Sequence, residues 1–401
     1  MKRIAFISVH GCPMALLGAR SAGGMNVYVR ALAQALGRMG FAMDIFTRCH
    51  GSGEPLINPL DEHTRVIHIE AGPQDAPKED LFGYIPAFLH GVQAFVQGSG
   101  LRYDLLHSHY WLSGWVGQTL AQEWRAPHVT TFHTLAEIKT RARVGEAEAT
   151  PRSATERQVI ATSDRVIVST AHEGVALQQL YGAPAGKMRV VPGGVDLDLF
   201  HPGSQRAARD QLGLNRHHTI LYVGRLDPIK GLEVLMHTLP QLETCKDVQL
   251  LVVGGSQEDA EYQRLKQLSS QLGLAERIEF LGSQQHESLP SYYQAADVCV
   301  VPSYYESFGL VALEAMACGT PVVASRVPGL QTIMRDNRSG YLVPWHCPDA
   351  FADRLEVLLS NDALRHSMGQ QARKMAEAMG WDITAQGVAQ VYAEMGVEAQ
   401  E

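Results

Sequence analysis

The fold of this chain is decided by the stretch 306–321, which has the sequence ESFGLVALEAMACGTP. A short apolar run at 298–301 comes just before it and predicts a buried parallel strand. Apolar residues recur at helical spacing from Leu310 onward, and a Cys-Gly pair closes the pattern. The stretch therefore predicts a strand, a turn and a helix, with Glu306 in the turn and Glu314 inside the helix.

The predicted turn places backbone amides at the start of a helix. Unpaired N–H groups there, together with the helix dipole, favour a phosphate. A carboxylate beside an anion site makes sense when it binds neutral hydroxyl groups, and a sugar nucleotide supplies both hydroxyls and phosphates. The turn amides of Ser307, Phe308 and Gly309 are therefore candidates for a phosphate, and the two glutamates are candidates for hydroxyls.

The full string resembles the paired-glutamate motif of retaining GT-B glycosyltransferases of the family 4 type. Glu306 and Glu314 have seven residues between them, and the Phe-Gly and Cys-Gly-Thr-Pro pieces are in place. Two glutamates at this spacing before or in an ordinary amphipathic helix are common by chance, but the full string is far less common. The resemblance implies an α/β chain with two Rossmann-like parallel-sheet domains that face a cleft. It also implies a retaining hexosyltransferase whose donor site includes Leu310.

Length and composition favour a soluble two-domain protein. The chain has 401 residues, more than one core usually serves, and a formal net charge of −8, which argues against a nucleic-acid partner. Six scattered cysteines without a C-x-x-C pair are typical of reduced core residues. The sequence shows neither a signal peptide nor a run of the ~20 apolar residues that an integral membrane segment needs. We therefore expect a cytoplasmic protein.

Short apolar strands alternate with amphipathic helices along the chain, which predicts βαβ units and doubly wound parallel sheets. One helix is expected over 79–96, and a polar linker is expected to run to about Asn215. The predicted domains are 1–197 for the acceptor and 198–378 for the nucleotide sugar. The resemblance implies that the last helix, within 379–401, crosses back to the first domain near Trp381.

Two loops after predicted strands carry further donor-site chemistry. In the loop 18–24, glycines let the backbone approach a ligand closely; a tight turn without a ligand is the alternative. The loop lacks the spaced dinucleotide fingerprint, so an NAD enzyme is the weaker interpretation. The resemblance implies that this region contacts the donor diphosphate and the acceptor, and Gly23 and Gly24 are assigned to the donor and Asn26 to the acceptor.

The loop 224–231 carries a planar guanidinium at Arg225 and a point charge at Lys230. An isolated pair of this kind is normally solvated surface. At the carboxyl end of a Rossmann strand the two cations become candidate ligands of a diphosphate. The loop is also close to the donor-site motif of the same family.

His133 follows a predicted strand of the first half, where a histidine is often only a loop residue. The resemblance implies that it lies beneath the transferred sugar. It also implies front-face transfer, in which the departing diphosphate helps to take the acceptor proton. Arg225, Lys230 and the turn amides would then stabilise the leaving group, an effect commonly worth ~3–4 kcal/mol per donor. His133, Arg225, Lys230 and Glu306 are therefore the predicted catalytic residues.

No metal and no cofactor are expected beside the nucleotide-sugar donor. Asp196-Leu197-Asp198 looks like a metal-binding D-x-D, but it falls in the interdomain linker and favours turn chemistry. His107 and His109 point the same way on a predicted strand without a third ligand, which favours a structural role.

Across nearly its full length the chain resembles the inositol-phosphate N-acetylglucosaminyltransferase and sucrose-phosphate synthase subset of the family. Lys78, Tyr110, Thr134 and Arg152 stand where that subset holds an acceptor phosphate. Two cations and two hydroxyls form a sensible cage for a phosphomonoester. The predicted partners are therefore a nucleotide sugar and a small phosphorylated acceptor, such as inositol phosphate or a sugar phosphate.

Several alternatives stay open at this point. Basic residues at 139–157 suit a membrane-surface transferase with a lipid or polysaccharide acceptor, although interspersed glutamates favour a solvated face or a phosphate pocket. A non-catalytic sugar-nucleotide sensor is the other rival class. UDP is favoured ahead of GDP and ADP, the hexose is glucosyl or N-acetylglucosaminyl, and a homodimer is one option for the oligomeric state.

Overall fold

A computed structural model describes residues 1–15, 23–49, 51, 55–142, 150–214, 218–344 and 346–399. Contacts within the described chain divide it into two compact units. The first holds Met1–Ala15, Met25–Pro192 and the chain from Trp381 onward, and the second holds Gly193–Gly380 together with Gly23 and Gly24. The domain boundaries at 197/198 and 378/379 stay a prediction. Most of the loop 18–24 and of the segment 142–150 lies outside the described residues.

The described part of the first unit is built on an eight-stranded sheet in the order β3-β4-β2-β1-β5-β6-β7-β8. Every neighbouring pair is parallel except β3 and β4. The strands are β1 (Arg3–Ile7), β2 (Ala42–Arg48), β3 (Ile57–Pro59), β4 (Thr64–Ile69), β5 (Leu105–His109), β6 (His128–Thr131), β7 (Arg165–Val168) and β8 (Met188–Val190).

Helices connect these strands and bury their apolar faces on the sheet. They are α1 (Gly24–Arg38), α2 (Ile85–Ser99), α3 (Trp111–Trp124), α4 (Ala136–Ala142), α5 (Thr150–Thr162) and α6 (Ala171–Tyr181). The prediction of a single helix over 79–96 is wrong. A 3-10 turn covers Lys78–Tyr84, and α2 starts afresh with Pro86 in its first turn, because proline fits a helix start far better than a helix interior.

The described part of the second unit has a six-stranded, fully parallel sheet in the order β11-β10-β9-β12-β13-β14. Its strands are β9 (His218–Val223), β10 (Val248–Val253), β11 (Ile278–Gly282), β12 (Val298–Val301), β13 (Val322–Ser325) and β14 (Gly340–Val343). Its helices are α7 (Gln205–Leu212), α8 (Leu232–Thr238), α9 (Ala260–Gln271), α10 (Leu289–Ala295), α11 (Leu310–Ala317), α12 (Pro328–Ile333), α13 (Pro348–Leu359) and α14 (Asp362–Ala376).

The polar linker predicted to run to about Asn215 is partly wrong, because it contains α7. The Ser204 hydroxyl caps this helix by accepting a hydrogen bond from the Ala207 amide, and Gly213 ends it in the left-handed region. Arg209 then donates to Asp297 at 2.6 Å. A short helix with a polar composition is thus held by its caps, by this ion pair and by hydrogen bonds from Gln205 and Arg209 to the Ala295 carbonyl.

The sheet order places two loops of the predicted donor site side by side. β9 and β12 are far apart in sequence but pair directly in parallel. Their carboxyl ends therefore meet at one sheet edge, where the loops that carry Lys230 and Glu306 begin.

The last helix, α15 (Trp381–Ala393), packs on the first unit. Trp381 lies edge-on to Tyr28, and the Tyr392 hydroxyl hydrogen-bonds to His107 at 2.7 Å. Glu394 accepts hydrogen bonds from Arg165 and Arg189 on β7 and β8. In the described part of the chain no helix is long and apolar enough to span a lipid bilayer.

Candidate functional site

The centre of the second unit's site is an ion pair between Lys230 and Glu306. The Lys230 ammonium donates to Glu306 Oε1 at 2.7 Å, and the Ser303 hydroxyl donates to the same oxygen at 2.8 Å. The side chains are only 25% and 13% exposed. Sequence patterns assigned the cation to a phosphate and the acid to sugar hydroxyls, and the structure adds that the two contact each other.

Backbone contacts lock the loops on which this pair sits. The Tyr304 amide donates to the Ile229 carbonyl at 2.8 Å. Gly231 has a φ of 70°, and a Cβ there would lie 2.1 Å from the Pro302 carbonyl oxygen. Only glycine fits so close an approach, so the loop after β9 is fixed against the end of β12.

The turn before α11 is shaped by two further glycines. Gly309 caps the helix with a φ of 105°. A Cβ on Gly329, in α12, would lie 2.2 Å from the Glu306 carbonyl oxygen and 3.0 Å from the Phe308 amide nitrogen. Gly329 was missed by sequence reasoning, since its importance comes from backbone 23 residues earlier in the chain.

Glu314 lies inside α11, as predicted, and is 6% exposed. Its two oxygens accept hydrogen bonds from His286 Nε2 at 2.9 Å and from the Tyr293 hydroxyl at 2.8 Å. Burial, and then the charge of Glu314, raise the pKa of Tyr293 well above its usual value, so this hydroxyl stays a donor. The carboxylate is held in one orientation by two residues that no motif signalled.

Arg225 is the more exposed of the two donor-site cations. Its guanidinium lies 3.7 Å from the Asp227 carboxylate, and its carbonyl accepts a hydrogen bond from the Tyr222 hydroxyl. Gly23 and Gly24, which belong to this unit, lie close to two of its predicted donor-site residues. A Cβ on Gly23 would lie 3.6 Å from Arg225 Nε, and a Cβ on Gly24 would lie 3.3 Å from Leu310 Cδ1.

In the first unit, the predicted acceptor residues converge on the ring of Tyr110. The Lys78 ammonium lies 4.4 Å and the Arg152 guanidinium carbon 4.8 Å from the ring centroid, both within cation–π range. Arg152 also donates to the carbonyl and the hydroxyl of Thr134, at 2.9 and 3.1 Å. Tyr110 itself has a φ of 81°, a strained value that is typical of binding sites. The structure thus brings four of the five predicted acceptor residues together.

Arg152 is not a surface cation, contrary to the interpretation that placed it on a membrane-facing cluster. It is 4% exposed and donates through Nε to Glu156 Oε1 at 2.8 Å, and Glu156 is fully buried. Glu156 also accepts from the Ala136 amide and the Tyr181 hydroxyl. Burial raises the pKa of Glu156, while Arg152 works against that rise. Neither Glu156 nor Tyr181 carries a sequence signal for this role.

Arg157, another member of the basic cluster, also has an acidic and an aromatic partner. Arg157 pairs with Glu137 at 3.3 Å and lies over the Tyr181 ring. Arg143, Glu146 and Glu148 lie outside the described residues. The helical part of the cluster that the structure describes is therefore a mixed-charge face.

His133 follows β6 with a φ of 61° and is partly buried. Its Nε2 lies 3.1 Å from Nδ1 of His109, and its ring meets the Tyr28 ring edge-on. Burial lowers the pKa of His133 to about 3, so its ring is neutral near pH 7. His107 has both ring nitrogens hydrogen-bonded, to the Tyr392 and Thr131 hydroxyls, which agrees with a structural role.

Two other predicted residues have local partners. The Asn26 amide in α1 donates to the Cys12 carbonyl at 2.7 Å, which anchors the start of that helix. Asp196 Oδ1 accepts from the amides of Asp198 and Leu199, the turn chemistry expected for this D-x-D. Within the described residues, no group of three or more His, Cys, Asp or Glu side chains is placed to hold a metal ion.

Comparison with known proteins finds a glycosyltransferase family model on each half of the chain. The family model for glycosyl transferases group 1 matches residues 204–375, and the model for glycosyltransferase family 4 matches residues 22–199. A D-inositol 3-phosphate glycosyltransferase of Corynebacterium efficiens is 40% identical over 403 residues, which cover 98% of this chain and 95% of that protein. Its counterpart in Xylanimonas cellulosilytica is 42% identical over 98% and 96%.

Solved structures agree with this assignment. A sucrose-phosphate synthase from Thermosynechococcus elongatus superposes with a TM-score of 0.92 at 39% identity, covering 99% of both chains. The Anabaena protein HepE, solved with UDP-glucose, shares the fold with a TM-score of 0.80 at 21% identity, over 98% of this chain and all of HepE. The chain therefore belongs to glycosyltransferase family 4, has the GT-B fold, and is a hexosyltransferase that uses a nucleotide-sugar donor.

Proposed function

We propose that this chain transfers a glucosyl or N-acetylglucosaminyl group, with retention, from UDP-sugar to a small phosphorylated acceptor, with an inositol phosphate as the first candidate. The observation that carries the proposal is the convergence of Lys78 and Arg152 on the Tyr110 ring. An arginine fork and an ammonium with hydroxyls nearby match the charge and the acceptor oxygens of a phosphomonoester.

The donor side of the proposal rests on the second unit. Arg225, Lys230 and the amides before α11 bind the diphosphate, since a helix start and two cations supply positive potential. Glu314 binds hydroxyl groups of the nucleotide sugar, and Glu306 and His133 contact the transferred sugar. The backbone around Glu306 is held by glycine contacts, which suits a site that must be rigid before its ligand arrives.

The proposed reaction needs no side chain as a nucleophile. The acceptor hydroxyl attacks the anomeric carbon on the face from which the diphosphate leaves, and a phosphate oxygen of the leaving group takes the proton. The bond from the anomeric carbon to the diphosphate oxygen breaks in the same step, so negative charge grows on the diphosphate, where Lys230 and Arg225 stabilise it. Because these two cations stabilise the leaving diphosphate, we propose that transfer requires no divalent metal.

Two features support a phosphorylated acceptor over a lipid or a polysaccharide. The relatives near 40% identity carry inositol 3-phosphate in their names, and the structural neighbour at 39% identity is named for sucrose phosphate. The described basic residues on α4 and α5 are mixed with acids rather than arranged as a cationic surface.

A donor-by-acceptor screen tests the function. UDP, GDP and ADP sugars are offered with inositol phosphates, fructose 6-phosphate and their unphosphorylated parents, in buffer with EDTA, and release of the nucleoside diphosphate is measured. We expect turnover with a UDP-hexose and a phosphorylated acceptor. Turnover with the unphosphorylated parents alone would overturn the acceptor class, and loss of turnover in EDTA would overturn the metal-free reaction.

Lys78→Met sharpens this screen because Lys78 is exposed, whereas Arg152 is buried. We expect its KM to rise about tenfold or more for the phosphorylated acceptor and to stay unchanged for the donor. Lys246→Met, at another exposed lysine, is the matched control. Equal behaviour of the two variants would remove Lys78 from the acceptor site.

A further inference from the structure

His109 and His133 form a close pair of ring nitrogens in the first unit. His109 ends β5, His133 follows the neighbouring strand β6, and the two strands pair so that His109 lies opposite Thr131. Nδ1 of His109 lies 3.1 Å from Nε2 of His133, a hydrogen-bond distance. The ring planes are inclined by 28° with centroids 5.3 Å apart, so the two rings meet nearly edge to edge, as an N–H···N bond requires.

The two rings share one proton between those nitrogens. Burial lowers the pKa of His109 well below its usual value and that of His133 to about 3, so both rings are neutral near pH 7. A neutral imidazole carries one N–H, so either His109 donates from Nδ1 or His133 donates from Nε2. The two choices leave opposite protonation at the outer nitrogens.

The surroundings of His109 decide between the choices. Its Nε2 is buried and has no hydrogen-bond partner among the described residues. The ring lies 4.7 Å from the Phe6 ring and 4.4 Å from the His107 ring. If His133 were the donor, His109 would carry an N–H at this buried, unpartnered position, and orphaned buried N–H groups are rarer than under-satisfied acceptors. The arrangement therefore favours donation from His109 Nδ1.

We propose that His109 is a positioning residue, which holds His133 in the tautomer that carries its proton on Nδ1, so that His133 presents an N–H donor to an oxygen of the transferred sugar. The last step rests on the proposed function, which places His133 against that sugar. The left-handed backbone conformation of His133 sets the direction in which its side chain leaves the backbone. The hydrogen bond from His109 sets which ring nitrogen of His133 carries the proton. Neither His107 nor His128 does this, because their nitrogens bond to hydroxyl groups.

Two variants at one position separate tautomer control from simple packing. In His109→Asn the side-chain amide places an N–H near the position of Nδ1, whereas His109→Leu fills space without a donor. His128→Gln is the matched control, since His128 is another buried histidine of the same sheet and bonds to the Ser108 hydroxyl. We expect turnover to fall about tenfold in His109→Leu, the value of one lost hydrogen bond, and to recover in His109→Asn.

The decisive readout does not depend on activity. Long-range proton–nitrogen NMR of the ring-labelled chain, with His133 assigned through His133→Asn, reports which nitrogen carries the proton. We expect Nδ1–H in the unmodified chain and in His109→Asn, and loss of that preference in His109→Leu. A proton on Nε2 of His133 in the unmodified chain would overturn the inference whatever the substrate. If the NMR spectra are as expected but turnover is unchanged in both His109→Leu and His133→Asn, the role of His133 in transfer is overturned instead.

Discussion

Removal of the Arg152 guanidinium tests the first unit's site, and the structure fixes how the experiment must be designed. Arg152 is 4% exposed and its partner Glu156 is fully buried, with Nε and Oε1 2.8 Å apart. Arg152→Met therefore removes the cation and leaves a buried carboxylate. Breaking a buried pair in this way destabilises a protein by about 3–5 kcal/mol. A loss of activity in this variant alone would thus confuse unfolding with loss of a phosphate ligand.

The pH dependence identifies the cause of that loss. Burial already raises the pKa of Glu156 above its usual value, and without Arg152 the pKa rises further. The pKa of such a carboxyl is higher in the folded state than in the unfolded state. Its contribution to stability is fully present at a pH below the unfolded-state pKa, and it is lost as pH rises through the folded-state pKa. The free energy of unfolding of Arg152→Met should therefore fall further below wild type at pH 8 than at pH 5.

A double variant restores the balance of charge. In Arg152→Met/Glu156→Gln the pair's buried charges are gone, and a glutamine oxygen at the Oε2 position still accepts from the Ala136 amide and the Tyr181 hydroxyl. Because an apolar or neutral replacement of a whole buried pair is often close to neutral, we expect most of the lost stability to return. Arg157→Met, on the same helix but in an exposed pair with Glu137, is the control and should change stability by less than about 1 kcal/mol.

Urea unfolding between pH 5 and 8 measures the stabilities, and steady-state kinetics of the double variant then measure the acceptor site. We expect the KM for the phosphorylated acceptor to rise about 10- to 100-fold relative to Glu156→Gln, as for loss of a charge-assisted hydrogen bond, with little change for an unphosphorylated acceptor. A single variant as stable as wild type at pH 8 would refute the buried-pair argument. Equal KM changes for both acceptors would refute the phosphate role of Arg152.

Three further predictions concern other parts of the chain. Lys230→Met should lower kcat about 10²- to 10³-fold at a urea concentration and pH where unfolding curves show the variant to be folded, and unchanged kcat would remove Lys230 from the leaving-group site. Gly329→Ala should raise the donor KM, because its Cβ would lie 2.2 Å from the Glu306 carbonyl oxygen, and an unaffected donor KM would show that the turn tolerates displacement. Burial lowers the pKa of His128 to about 4, so its contribution to stability is present above pH 6.5 and is lost as pH falls towards 4. Between pH 7.5 and 4.5 the free energy of unfolding of His128→Gln should fall less steeply with decreasing pH than that of the unmodified chain, by up to about 1.4 kcal/mol per pH unit. The same pH dependence in both proteins would contradict a neutral buried ring.

The sequence predicted the fold class because its signals are local. Apolar runs such as 298–301 are long enough to specify buried parallel strands, and β12 begins and ends where that run does. The errors also have local causes. Pro86 permits a helix start but not a helix interior, which split the predicted helix 79–96, and the mostly polar composition of 205–212 hid α7 behind the expectation of a linker.

The predicted site residues came from motifs, but their partners came from the sheet order. Lys230 and Glu306 meet because β9 and β12 are neighbours, although 76 residues separate the two side chains. His109 at the end of β5 and His133 just after β6 meet for the same reason. A motif names residues that contact a ligand, whereas residues that hold them in place share no spacing that a single sequence reveals. Glu156 is an example, since it is an ordinary helical glutamate until its burial is known.

In each unit a cation that is assigned to a phosphate is oriented by a carboxylate of the protein. Lys230 in the second unit and Arg152 in the first are both assigned to phosphates, and each is already hydrogen-bonded to a buried or nearly buried carboxylate. A long cationic side chain that is ordered only on binding loses up to about 2 kcal/mol of rotamer freedom at that moment. Here the carboxylate orders the side chain during folding, so a phosphate meets a donor that is already oriented. The carboxylate also offsets part of the positive charge, so recognition depends on the direction of the N–H groups more than on net potential. This is consistent with a chain that carries a net charge of −8 and yet is proposed to bind two anionic substrates.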